Sequence, residues 1–396
     1  MGATDLVRKK PRKSARKLVT GKDNRSTSRV NSKPNWKKEE PSFTMNTICE
    51  PILPSEEAKT CATPLDFFML FFNNELIDHI FIQMNLYASQ NNYPLDMSKE
   101  ELLVVLGGLL MSGYAKYPKK RMYWSKETDV PTLLSESIRC NRFELILHHL
   151  HLNDNTLHDG SDKLFKLRPV LNMLEQSFKK HGGVDENISI DESYGKHYAK
   201  QFIRGKPIRF GFKNWALCSS SGYMISFQIY AGKDNEDKVK EFGLDGSVVV
   251  FLLISAEIPS DRGFKVFFDN YFTTVKLLSH LAENGICATS ILQENRTKKC
   301  PLRNQKEMKK EKRGTHDFRS CGNVMLVRWN DNSVVTAGTN YENLVMTTTT
   351  RWSSEKKGKV SIPQPLVMSS YNKGMGGVDQ LDQMVASYRT RMRHKK

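Results

Sequence analysis

The spacing of apolar and polar positions changes once along this chain. Between Pro64 and Gly182 apolar residues recur every three to four positions, the repeat of one helix face. The stretch PLDFFMLFFNNELIDHIFIQMNLYA, from Pro64, predicts a helix with Asp66 in its first turn. SKEELLVVLGGLLMSGY follows, with Ser98 placed as N-cap and Glu100 and Glu101 where acids suit the helix dipole. Two further stretches, 135–152 and 162–182, carry the same pattern, and Pro169 predicts a kink or split in the second. From Asn187 the period becomes two. ISI ends at Asp191; residues 208–219 and 222–232 alternate on either side of a Ser-Ser-Gly turn, a hairpin signal. Residues 233–247 are charged and contain glycine, which reads as loop, while VVVFLLISAE fits strand or helix. FKVFF is a strand ending at Asp269, 273–285 a helix closed by Gly285, and ICATSIL another strand. A basic, polar segment (296–314) precedes GNVMLVRWNDNSVVTAGTN, which reads as a hairpin turning at NDNS. From Gly376 the pattern is helical again.

Composition narrows the class. The chain has 396 residues, 39% of them hydrophobic, enough for two or three domains. No apolar run approaches the roughly 20 residues of a membrane span, and no apolar segment near the start suggests a secretory signal. Seven scattered cysteines without a C-x-x-C pair argue against a disulfide framework or a zinc finger, and for a reducing compartment. The net charge is +17, and residues 1–40 hold 13 Lys+Arg against 4 Asp+Glu. That tail, poor in apolar residues, is expected to be disordered. Its run Arg8, Lys9, Lys10, Arg12 and Lys13 reads as a nuclear import signal, a DNA contact arm that neutralises phosphates, or a solubilising tail.

Candidate chemistry rests on carboxylates. Asp191 and Asp269 each follow a core strand, where a side chain is held rigidly yet stays reachable. Asp379 and Asp382, at i and i+3 of the last helix, share a face. Three carboxylates from two strands and a helix suit two divalent cations about 3.5–4 Å apart. Oxygen ligands select Mg2+ or Mn2+ over zinc. One ion would activate an attacking hydroxyl and the other stabilise the leaving oxygen of a phosphoryl displacement. Arg204, Lys206, Arg209 and Lys213, with Lys373 before the Gly-Gly pair, would hold a polyanionic substrate. Taken singly, each aspartate reads more readily as a turn former or cap than as a ligand. His148, His149, His151 and His158 suggest metal by number, but their helical setting favours packing; Trp215 and Trp329 read as strand core.

Seven stretches occur in a telling order: SIDES, IRGKPIRFGFK, YAGKDN, FFDNYFT, ENRTKKCPL, RWNDNSVV and YNKGMGGVDQLDQ. Together they resemble the piggyBac transposase family, and YWS (123–125) with NRFELILHHLHLNDN (141–155) resembles the helical segment that precedes its catalytic core. The resemblance covers about residues 62–396. It implies an α/β fold with an RNase H-like catalytic core split by a β-rich insertion. It also implies a domain plan: a disordered basic tail and linker (1–61), a helical domain (62–182), the first part of the core (183–294), the insertion (295–365), and a last core part (366–396). Matched by motif, the aspartate triad falls on Asp191, Asp269 and Asp379, with Asp382 at the adjacent acidic position; Asp379 and Asp382 would together be the helix-borne metal ligands, beside Asp191 and Asp269. Further implications are two Mg2+ or Mn2+ ions, DNA as partner at transposon ends and TTAA target sites, a homodimer, and a nuclear location.

Two departures bear on activity. After Asp-Glu-Ser the family carries about four more residues before the KQFIRGKP stretch. Their absence would shift the next strand and misplace Asp191, and a shift of about 1 Å costs about 100-fold in rate. Family members also read on from a Lys-Lys such as that at 395–396 into tryptophans, further helices and a cysteine-rich zinc-binding domain. The expectation is a helix around Asp379 short of packing partners, and a transposase-derived chain that is impaired in catalysis, or a non-catalytic DNA-binding or protein-interaction protein.

Overall fold

The computed structural model describes residues 34–195, 201–202, 210–230, 242–354 and 356–392. Arg204, Lys206 and Arg209 lie outside these, as do Arg8, Lys9, Lys10, Arg12 and Lys13. Residues 35–396 make one compact unit, with a helical core and a sheet that carries apolar clusters on both faces.

The first core is helical. Its elements are α1 (Glu56–Thr60), α2 (Pro64–Phe71), α3 (Asn74–Gln90), α4 (Lys99–Tyr114), α5 (Leu133–Ser137), α6 (Cys140–His148) and α7 (Arg168–His181). The single helix expected from Pro64 is two. Asn73 stops the first and caps the second, its side chain accepting the Leu76 amide, so a local hydrogen bond outcompetes the continuous apolar pattern. The 135–152 stretch is likewise divided into α5 and α6. Ser98 and Glu101 form the capping box of α4. Pro169 does not kink a helix; it begins α7, where its missing N–H costs nothing. Leu76, Ile80, Met84, Leu102, Phe143 and Ile146 are almost wholly buried between these helices. Met392 from the far end of the described chain joins them, after the Arg391 amide donates to Ser112 Oγ at 2.9 Å.

The second core is a mixed sheet with helices on both faces. Its strands are β1 (Asn187–Gly195), β2 (Gln201–Phe202), β3 (Phe210–Ser219), β4 (Met224–Ile229), β5 (Lys265–Phe268), β6 (Cys287–Ile291), β7 (His316–Cys321), β8 (Val324–Asn330) and β9 (Val334–Thr339). The order is β2-β3-β1-β5-β6-β9-β8-β7, with β4 pairing β3. β1, β5 and β6 run parallel, whereas β3 and β9 join them antiparallel. The strands β7 to β9, expected in an insertion, thus continue the same sheet. Only β10 (Met346–Ser353) and β11 (Gly358–Pro365) form a separate two-stranded ribbon.

Alternation decides which helices cover which face. Ile188, Ile190, Leu217, Val266 and Phe268 pack under α8 (Gly243–Ser255) and α9 (Val275–Glu283). The apolar run around Val248, ambiguous in sequence, is therefore helix. On the other face lie α11 (Leu366–Gly374) and α12 (Gly377–Ser387), while α10 (Gln305–Met308) is a short turn before β7. Val378 of α12 is fully buried with Ala216 and Cys218 of β3. The inner side of α12 thus has packing partners, contrary to the expectation; Met384 and Val385 near its end, and Tyr388 just after it, are exposed. Trp215 and Trp329 are buried strand residues, as their patterns indicated.

Candidate active site

Strand register sets the first two carboxylates side by side. Parallel pairing of β1 and β5 ends at Ile190 opposite Phe268, so Asp191 and Asp269 are the next position on each. Asp191 does not end its strand, as the sequence suggested: β1 runs on to Gly195 against β3. Ile190 and Phe268 face α8 and α9; their successors therefore face α11 and α12. Both carboxylates are oriented by following backbone amides. Asp191 Oδ1 accepts the Glu192 N–H at 2.7 Å, and Asp269 Oδ1 accepts the Tyr271 N–H at 2.8 Å.

Close packing of α12 brings in the third. A Cβ on Gly377 would fall 2.2 Å from the Ser219 carbonyl oxygen and 2.7 Å from Ser189 Oγ. One and a half turns later, Asp382 Oδ1 accepts the Ser193 hydroxyl at 2.6 Å. The helix thus starts beside Ser189 and reaches Ser193; Asp379 lies between these points along the helix axis and is exposed, and Asp191 lies between the two serines on the same face of β1. Gly377 serves close approach and not turning: neither Gly376 nor Gly377 has a positive φ, and only Gly377 presses on its neighbours. Gln380 extends the seat, its amide nitrogen donating to the Ser220 and Ser221 carbonyls when oriented to suit them.

Tyr371 reports that the three acids share one neighbourhood. It lies on α11, three residues before Gly374, whose missing Cβ would meet the Phe267 ring at 2.3 Å. Burial first, then Asp269, Asp191 and Asp379, raise its phenol well above the ordinary tyrosine value. Sequence reasoning passed over this residue. Its signal was the i, i+3 pairing of Tyr371 with a glycine in a helical run.

The surroundings fix the loop after Asp269. Gln293 Nε2 donates to Asn270 Oδ1 at 3.0 Å, and Arg296 donates to the backbone oxygens of Asn270 and Tyr271. Lys213, expected to face a polyanion, has a side chain only 11% exposed; it pairs with Glu192 and lies 4.1 Å from the centre of the Tyr271 ring. Lys373 is exposed on α11. Of the four histidines, His149 and His151 are buried packing residues, while His148 and His158 are exposed. His151 stacks on Tyr87 at 4.1 Å and meets Asn155, while His149 bonds the Leu145 carbonyl. Among the described residues no three His, Cys, Asp or Glu side chains converge on one ligating point, and no helix is long and apolar enough to cross a membrane.

Known proteins agree with this architecture. A family model described as Transposase IS4 matches residues 63–396. PiggyBac transposable element-derived protein 2 of Homo sapiens is 35% identical over 371 residues, 91% of this chain and 62% of that protein. PiggyBac transposable element-derived protein 3 of Homo sapiens is 36% identical over 350 residues, 87% of this chain and 59% of that protein. The chain therefore spans about three-fifths of the length of these relatives. A solved cryo-EM structure, a piggyBac transposase synaptic complex with hairpin DNA, matches with a TM-score of 0.65 at 20% identity, covering 86% of this chain and 72% of that one. At that identity the likeness is one of fold. With a family match over most of the chain and relatives above 30% identity, the chain belongs to the family of piggyBac transposable element-derived proteins.

Proposed function

We propose that this chain is a transposase-derived protein whose Asp191, Asp269 and Asp379 form a phosphoryl-transfer site for DNA. One observation carries the reading: two carboxylates at matching positions of adjacent parallel strands, beside a closely packed helix that bears the third. In this reading the strands around β1, β5 and β6 are an RNase H-like core, residues 62–182 a helical domain, and 295–365 a β-rich insertion.

The donor set fits Mg2+ or Mn2+: all-oxygen, anionic, and without the nitrogen or sulfur that favours zinc. Strands lie about 4.8 Å apart, so rotation of the Asp191 and Asp269 side chains suffices to bring their oxygens together. Bound divalent ions would polarise the scissile phosphate and raise the acidity of the attacking hydroxyl. The chain's own residues do the rest. The amides of Glu192 and Tyr271 orient the carboxylates, Gln293 and Arg296 hold the loop that carries Tyr271, and Lys373 offers an exposed cation for phosphate. DNA as partner is supported by the +17 charge and by the hairpin DNA of the solved complex. Pairing into a homodimer and action in the nucleus belong to the same proposal.

Nicking of supercoiled plasmid in Mn2+ tests it. The wild-type chain should nick, and Asp269→Asn should lose more than about 100-fold. Equal rates for the two would refute the site. A second reading is DNA binding without cutting, for which the net charge of +17 suffices. It predicts no metal-dependent nicking, with binding that falls steeply as salt rises.

A further inference from the structure

Asp382 was expected beside the metal ligands, yet its surroundings differ from those of Asp379. Asp379 is exposed, whereas Asp382 is partly buried and its carboxylate accepts the Ser193 hydroxyl at 2.6 Å. Its charge is felt beneath the helix as well. The Cys218 thiol of β3 is pushed up to about 12 by burial and by Asp382. The Ser193 hydrogen bond therefore turns the carboxylate toward the sheet.

Ser193 lies two residues after Asp191 on the same face of β1. Asp382 lies three residues after Asp379 on the same face of α12. The hydrogen bond between them ties α12 to β1 a short step beyond each candidate ligand. Gly377, pressed against Ser189 and Ser219, fixes the near end of the helix. Ser193 and Asp382 fix the far end.

We propose that Asp382 is a positioning residue and not a metal ligand: through Ser193 it clamps α12 to β1 and so fixes the stretch of helix that carries Asp379. The inference rests on the phosphoryl-transfer reading for its purpose, but the clamp itself is measurable without metal or DNA. An oxygen acceptor is what the clamp needs, so an amide substitutes for the carboxylate; a ligand role requires the charge.

The full chain is compared with Ser193→Ala, Ser193→Thr, Asp382→Ala, Asp382→Asn, the double alanine variant and Asp379→Asn. Urea unfolding in EDTA is expected to show coupling: each alanine variant lowers the midpoint, and the double variant falls no further than the worse single one. Ser193→Thr, which keeps the hydroxyl, restores most of the midpoint. In Mn2+ titration, Asp382→Asn should bind within about threefold of wild type while Asp379→Asn loses more than about tenfold. In nicking, Ser193→Ala and Asp382→Ala should fall together by about 10- to 100-fold, and Asp382→Asn by less than about tenfold. Additive midpoints, or an Asp382→Asn variant that loses Mn2+ as Asp379→Asn does, would overturn the proposal. If wild type does not nick, the phosphoryl-transfer reading fails, and the urea and Mn2+ results still decide the clamp.

Discussion

Two adjacent glycines give the sharpest test of how α12 is seated. Gly376 and Gly377 share a backbone without positive φ, so intrinsic propensity treats alanine alike at both. Their surroundings do not. A Cβ at Gly376 meets nothing within 4 Å, while one at Gly377 falls 2.2 Å from the Ser219 carbonyl oxygen and 2.7 Å from Ser189 Oγ. Ordinary contact begins at 3.4 Å, so Gly377→Ala must drive α12 outward by about 1 Å, because the obstacle is strand backbone that cannot rotate aside. Overpacking of this kind costs about 1–3 kcal/mol. Gly376→Ala should be neutral or stabilising by a few tenths to about 1 kcal/mol, through the unfolded chain's reduced freedom. If Asp379 serves the proposed phosphoryl-transfer site, the same 1 Å shift of α12 should cost about 100-fold in rate. Urea unfolding of the two variants in EDTA reads the stability difference, and plasmid nicking in Mn2+ reads the rate. Equal midpoints for Gly376→Ala and Gly377→Ala would refute the argument that close approach, not flexibility, explains the second glycine.

Titration offers two further checks of opposite sign. Glu342, largely buried, has its carboxyl raised chiefly by burial, and Oε2 lacks a hydrogen-bond partner. Burial disfavours its charged form, so the folded state loses stability as pH rises from the ordinary glutamate value, about 4.3. Glu342→Gln should therefore stabilise at pH 7 by about 1 kcal/mol, with little effect near pH 4; a midpoint shift independent of pH would contradict this. Asp331 is the reverse case. Burial would raise it, but Arg351 and Arg313 outweigh that and hold it below the usual range. Its contribution is complete above about pH 3.9 and is lost as pH falls through the lower folded value. Asp331→Asn should lower the urea midpoint at pH 6 and leave it nearly unchanged at pH 2; an equal loss at both would show that the ion pairs contribute nothing.

Much of this molecule is written locally. Ser98 with Glu101, Pro64 after Thr63, and Thr274 before the α9 run carry capping chemistry that needs only a few neighbouring residues. The period-two runs at β1, β3, β5 and β8 state which residues face a core. The aspartates were likewise legible, since polar residues at the ends of apolar strand patterns stand out. Where the sequence misled, two local signals competed. Asn73 broke an apolar run that looked continuous, and Pro169 suited a helix start as well as a kink.

What the sequence by itself determined is the inventory: two periods, two cores, four carboxylates and their order. Only the tertiary structure decided how they meet. Register makes Asp191 and Asp269 neighbours, because parallel pairing across 77 intervening residues is not encoded in either strand alone. The seat of α12 distinguishes Gly377 from Gly376, and the Ser193 hydroxyl distinguishes Asp382 from Asp379. Lys213, a candidate phosphate ligand by charge, is committed to Glu192 and Tyr271 once the strands assemble. In each case the deciding quantity is a distance between residues far apart in the chain, and such distances exist only after apolar burial has brought the two cores together.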